Sequence, residues 1–174
     1  MSDETDAGPR AAAILDDGSV DADALLASIV SAQRRAGRRV RGLLMTYPDG
    51  PQTCAAAMVL VDVETREEYL VSQPLGADSQ ACRADTQGFE RASVVLRRAA
   101  DEQPDLVISN RFGGLEAGGG GFCSELLELM SRDVPVLTVV SPRHLQAWEQ
   151  FTGGATVILA SRDKAGGRIG LVDF

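Results

Sequence analysis

Asn110 and Arg111 come directly after the apolar run DLVIS and directly before a stretch that holds Gly113, Gly114 and Glu116. That order has a chemical meaning. Polar residues leaving a buried strand face the ligand side of a sheet, and glycines let backbone amides approach an anion closely. Residues 16–23 carry four aspartates around Gly18 and Ser19. They stand between a first strand and a first helix, where a phosphate loop would lie and where the Gly18 and Ser19 amides would be donors. Cys82 and Arg83 precede Asp85 at a helix start. A guanidinium there acts together with helix amides on an anion. Arg143 and His144 follow another apolar run. Arg83, Arg111, Arg143 and His144, gathered at one sheet edge, would make a local cationic site for a small oxyanion or a nucleotide phosphate. Arginine suits bidentate oxygen groups best.

Other chemistries are excluded by what the chain lacks. The sequence has one histidine and three cysteines, with no CxxC. HExxH and multi-histidine metal sites are therefore ruled out, and no zinc ribbon is supported. No metal site is expected. A Ser–His–Asp triad would need His144 as its base, and no GxSxG elbow supports it. The acidic loop at 16–23 is not GxxxxGK(S/T), and a triphosphate there would meet like charge. The 174 residues carry 25 acids against 17 bases, a net charge of −8, so nucleic acid is not an expected partner. No apolar run approaches the roughly 18 residues of a membrane helix, so membrane insertion is not expected. The polar, acidic N-terminus lacks the features of a secretory signal, which points to the cytoplasm.

The elements that must position these residues follow from the hydrophobic pattern. Strands are predicted at 11–15, 40–45, 105–109, 134–140 and 155–160, with a last one at 168–172. Helices are predicted from an Asp21 or Asp23 cap to about 36, from an Asp85 cap to about 100, and over 122–131 and 143–151. Residues 56–62 and 68–72 flank VETRE and read as a hairpin. Residues 110–121 are predicted to be a glycine-dense loop. Trp148 and Phe151 read as core. Residues 1–10 are predicted to be a flexible tail before a single α/β domain over 11–174. Alternating strands and helices imply a layered, mainly parallel sheet with an antiparallel hairpin at its edge. Ligands then bind beyond the carboxyl ends of the strands.

Four segments in order, AAAILDDG, LGADSQACRAD, DLVISNRFGGLEAGGGGF and VPVLTVVSPRHLQAWEQF, resemble a bacterial family known as domain of unknown function 2478. The resemblance covers roughly 11–155 and implies a connection with molybdate, since such proteins occur near molybdenum-transport components. The family pattern C-R-L-D stands here as Cys82, Arg83, Ala84, Asp85. The chain is more distantly similar to nucleoside-triphosphatases of the thermophilic P-loop type. Gly113 and Glu116 match the D-E-x-G-x-x-E pattern that follows a strand there. Asn110 stands in place of its magnesium-associated aspartate, and Arg111 in place of its catalytic glutamate. This implies a three-layer, P-loop-like α/β fold with degenerate motifs and no Walker A, and it does not carry the hydrolase activity over.

Three functions follow as expectations. The first is a non-catalytic protein that binds molybdate, another oxyanion or a nucleotide through Arg83, Asn110, Arg111 and Arg143, with Gly113 and Gly114 giving backbone access. The second is a weak nucleoside-triphosphatase in which Glu116 orients water. The third is a regulatory or interaction subunit with a degenerate pocket, its partner another protein or a second copy. A closed pocket, with Arg83 and Arg111 paired to internal acids such as Asp17 and Glu116, would favour the third.

Overall fold

The computed structural model describes residues 11–48, 57–73 and 83–160. The apolar run AAAIL forms β1 (Ala11–Leu15), followed by α1 (Ala22–Arg35) and β2 (Val40–Thr46). The hairpin strands are β3 (Val59–Asp62) and β4 (Glu68–Leu70), and a small ladder joins β5 (Ser72–Gln73) to β6 (Arg83–Ala84). Then come α2 (Thr86–Glu102), β7 (Leu106–Phe112), a single turn α3 (Gly114–Ala117) and α4 (Cys123–Ser131). The chain continues through β8 (Val136–Val140), α5 (Pro142–Phe151) and β9 (Thr156–Ala160).

The seven-stranded sheet runs β4-β3-β2-β7-β8-β1-β9. Strands β2, β7, β8, β1 and β9 are parallel neighbours, while β3 and β4 add antiparallel at one edge. Helices cover both faces. Leu26, Ile29 and Val30 of α1 pack with Ile14, Ile108 and Val139 on one side. Leu96 of α2, Leu126 of α4 and Trp148 of α5 pack with Leu43, Val107 and Val136 on the other. Burial on both faces is why the central strands read as unbroken apolar runs. The mainly parallel, three-layer architecture with an antiparallel hairpin is the one expected.

Capping fixes the helix starts. Asp21 accepts a hydrogen bond from the Ala24 amide, and Asp85 accepts one from the Gln87 amide. Gly37, at φ 82°, ends α1 as expected. Two glycines permit close approach elsewhere. A Cβ on Gly42 would lie 2.0 Å from the Ile108 carbonyl oxygen, and one on Gly88 would lie 2.1 Å from that of Leu70. The first lets β2 lie against β7, and the second lets α2 meet β4.

One segment departs from expectation. Asn110, Arg111 and Phe112 extend β7 instead of opening a loop, and residues 114–117 form the turn α3. The reason is Phe112, which returns to the core 5.2 Å from the Trp148 ring and 5.5 Å from the Phe151 ring, measured between centroids. The register to β8 shifts between Ser109 and Phe112, and the Asn110–Arg111 peptide is cis. The strand expected at 168–172 lies outside the described residues. Among those described, no helix is long and apolar enough to cross a membrane.

Candidate functional site

The carboxyl ends of β1, β2 and β7 open on the same side of the sheet, and the charges there are arranged around Arg111. Asp16 follows β1 and is held by its amide to the Val140 carbonyl at 2.8 Å. Asp23 lies in the first turn of α1. Arg111 reaches from β7 to both. Its Nη1 is 3.1 Å from Asp16 Oδ2, and its Nη2 is 3.2 Å from Asp23 Oδ1 and 3.3 Å from Oδ2. Asn110, which is 1% exposed, donates its Nδ2 to the same Asp23 oxygen at 3.1 Å.

This clasp sits at the amino end of α1. A P-loop protein has a cationic cradle before that helix and a metal-binding carboxylate on a neighbouring strand. Here the signs are exchanged, with aspartates before the helix and the guanidinium on the strand. Burial works against the Arg111 charge, but Asp23 and the hydrogen bond to Asp16 more than offset it and raise its pKa. Burial and then Asp23 push the nearby Tyr47 phenol up, against the opposing pull of Arg111. Asn110 Oδ1 and Arg111 Nε are buried with no hydrogen-bond partner among the described residues.

Three of the four amides expected to receive an anion, those of Gly18, Ser19 and Gly113, are occupied. Gly18 donates to Asp16 Oδ1 at 3.3 Å, and Ser19 donates to Asp17 Oδ1 at 2.9 Å. The Gly113 amide donates to Glu116 Oε2 at 3.0 Å, and the Phe122 amide donates to Oε1 at 3.1 Å. Glu116 therefore ties together the two ends of the glycine-rich turn. Burial raises its pKa, although those amides oppose the shift. Cys123 donates its thiol to the Glu116 carbonyl oxygen at 3.2 Å. A Cβ on Gly121 would fall 2.0 Å from Glu116 Oε1, so the turn needs a glycine to seat this carboxylate.

The structure thus brings Asn110, Arg111, Gly113, Gly114 and Glu116 to one place and sets Gly18 and Ser19 across the clasp. Arg143 is exposed on α5 and His144 half-buried, and among the described residues neither hydrogen-bonds the Arg111 cluster. Arg83 contributes backbone to β6, paired with Gln73; its side chain and all of Cys82 lie outside the described residues. Asp16, Asp23 and Tyr47 are the members the sequence reading did not name as site residues. The acidic loop was visible, but its partner lies 88 to 95 positions away.

Beside the clasp is a cleft of about 380 Å³, within the usual range for small-molecule sites. Met45 and Tyr47 of the β2 end, Met58, Phe89 of α2, Arg111 of β7 and Leu115 of α3 line it. A cavity of about 440 Å³ between α2 and α4, lined by Arg97, Asp101, Glu128 and Arg132, lies away from the strand ends. Among the described residues, no group of three or more His, Cys, Asp or Glu is placed to hold a metal ion.

The family model described as "Protein of unknown function (DUF2478)" matches residues 11–167. The "Molybdenum import ATP-binding protein ModC 2" of Bradyrhizobium diazoefficiens is 36% identical over 154 residues. The match covers 88% of this chain but 17% of that relative's length. No solved structure matches.

Proposed function

This chain belongs to the DUF2478 family, and from that premise we propose that it is a non-catalytic ligand-binding domain whose site is the cleft at the ends of β2 and β7. The observation that carries this is the exchange of charges around Arg111. A triphosphate at the amino end of α1 would meet Asp16, Asp21 and Asp23, and the only guanidinium in the clasp is already paired with two of them. Glu116, the one candidate for orienting water, has both oxygens bound to backbone amides. The cleft beside them is lined by side chains suited to holding a small molecule.

A finer version, in which the ligand is molybdate, another oxyanion or a nucleotide phosphate, draws its support from the printed name of the relative, which concerns molybdenum import and ATP. The reading as a regulatory or interaction subunit draws on the pairing of Arg111 with internal acids.

Two measurements test the proposal. Purified protein with magnesium and each nucleoside triphosphate should release no phosphate above a Glu116→Gln control; release that this variant abolishes would overturn the non-catalytic reading. Thermal shifts with a small-molecule set, molybdate and tungstate should find a ligand whose shift is lost in Leu115→Trp, which fills the cleft. A native-state ligand at a hundredfold excess over Kd adds about 2.7 kcal/mol of stability. Shifts that are all indifferent to Leu115→Trp would remove the cleft from the site, and no shift at all would favour the interaction subunit.

A further inference from the structure

The cleft also carries information about what kind of molecule it admits. We propose that it selects a flat, ring-bearing ligand without an anionic group, and that phosphorylated or oxyanionic forms of such a ligand are discriminated against. The inference rests on the cleft being the binding site, as argued above, and adds the chemical class.

Two sets of observations carry it. The first is the wall. Met45 and Met58 supply polarizable thioethers, and Phe89 and Tyr47 supply aromatic rings, around a space of about 380 Å³. Thioethers and aromatic side chains pack well against a planar ring. The second is the electrostatic balance of the charged lining. Arg111 is the one cation among the described lining residues, and two carboxylates at 3.1 and 3.2 Å neutralise it. Asp21, at the cap of the same helix, adds a third carboxylate whose field reaches Tyr47. Three backbone donors that would otherwise receive an anion are bound internally: the Gly113 amide to Glu116, and the Gly18 and Ser19 amides to aspartates of their own loop. Among the described residues, an incoming phosphate would meet more carboxylates than cations, with the Gly18, Ser19 and Gly113 amides already bound. A neutral ring would lose nothing by it, and a cationic ring would gain.

The test varies charge on a constant ring. Adenine, guanine, nicotinamide and their nucleosides are compared with the corresponding mono- and triphosphates by thermal shift, and binders are then titrated calorimetrically. The expected result is binding by at least one uncharged member, abolished by Leu115→Trp and by Met58→Trp in variants shown folded by circular dichroism. Each added negative charge should weaken binding about fivefold or more, as roughly 1 kcal/mol of repulsion near a protein surface implies. Asp21→Asn keeps the helix cap and removes one carboxylate, so it should narrow that penalty. Phosphorylated members binding more tightly than their nucleosides, still with loss in Leu115→Trp, would overturn the ligand class while leaving the cleft as the site. The same holds if no ring binds but molybdate does so in a Leu115-dependent way. Binding indifferent to both cleft variants, or no binding by any member, would overturn the cleft and the class together.

Discussion

Arg111 and Glu116 are both charged residues in a glycine-rich neighbourhood, yet their surroundings give them different work. Arg111 bridges two carboxylates from β1 and α1. Replacing it with alanine leaves Asp16 and Asp23 facing each other without a cation and leaves Asn110 to hold Asp23 alone. For a partly buried pair the loss should be about 1–3 kcal/mol, below the cost of breaking a fully buried one. Urea denaturation of Arg111→Ala, alone and with Asp16→Asn, measures it. The second change should recover part of the loss, and strict additivity would show that the two do not act as a pair. Glu116 makes a pH-dependent contribution. Its folded pKa is raised above 4.5, chiefly by burial. The native state therefore holds this proton more tightly than the unfolded chain, and the group's contribution to stability is present below 4.5 and lost as pH rises through the folded pKa. The advantage of wild type over Glu116→Gln should accordingly grow between pH 7 and pH 4 in urea melts. An advantage that shrinks on acidification would mean that the two amide hydrogen bonds outweigh burial.

At the scale of elements, the close contacts at two glycines set how tightly strands and helices pack. Gly42 has φ 115° as well as a carbonyl 2.0 Å from where its Cβ would lie. Alanine there must push β2 away from β7, with an expected cost of about 3 kcal/mol or more. Gly88→Ala should separate α2 from β4 through its clash with the Leu70 carbonyl at 2.1 Å. Thermal denaturation should place both far below wild type, whereas Gly114→Ala, with nothing within 4 Å of the added atom, should be close to it. These contacts also explain what the sequence reading could reach. Helices α1 and α2 were legible because Asp21 and Asp85 cap them locally, and β1 and β8 because burial on both faces writes an apolar run. The end of β7 was not. Asn110 and Arg111 look like loop residues by polarity, and the reason they stay in the strand is tertiary: Asp23 receives both, and Phe112 docks beside Trp148. The proposed convergence of arginines depended on side-chain directions across several elements, which no local pattern encodes. Arg143 lies exposed on its helix.

Across the whole molecule, acids outnumber bases by 25 to 17. Such an excess repels itself in the compact state, and the Arg111 clasp is a point where several of those acids are brought close together. Salt should therefore act differently on the protein with and without the clasp. At 0.15 M ionic strength the screening length is about 8 Å, shorter than most distances across a domain of this size. Raising sodium chloride from about 10 mM to about 150 mM relieves the general repulsion and should raise Tm in the wild type. The same salt also weakens the Arg111 ion pairs, which offsets part of the gain. In Arg111→Ala there is no such ion pair to weaken, and the two carboxylates it held, Asp16 and Asp23, add to the repulsion that salt relieves. The rise in Tm should therefore be larger in the variant than in the wild type, while an exposed control such as Arg143→Ala should follow the wild type. Equal slopes for all three proteins would mean that Arg111 contributes geometry at the strand ends and no measurable electrostatic balance.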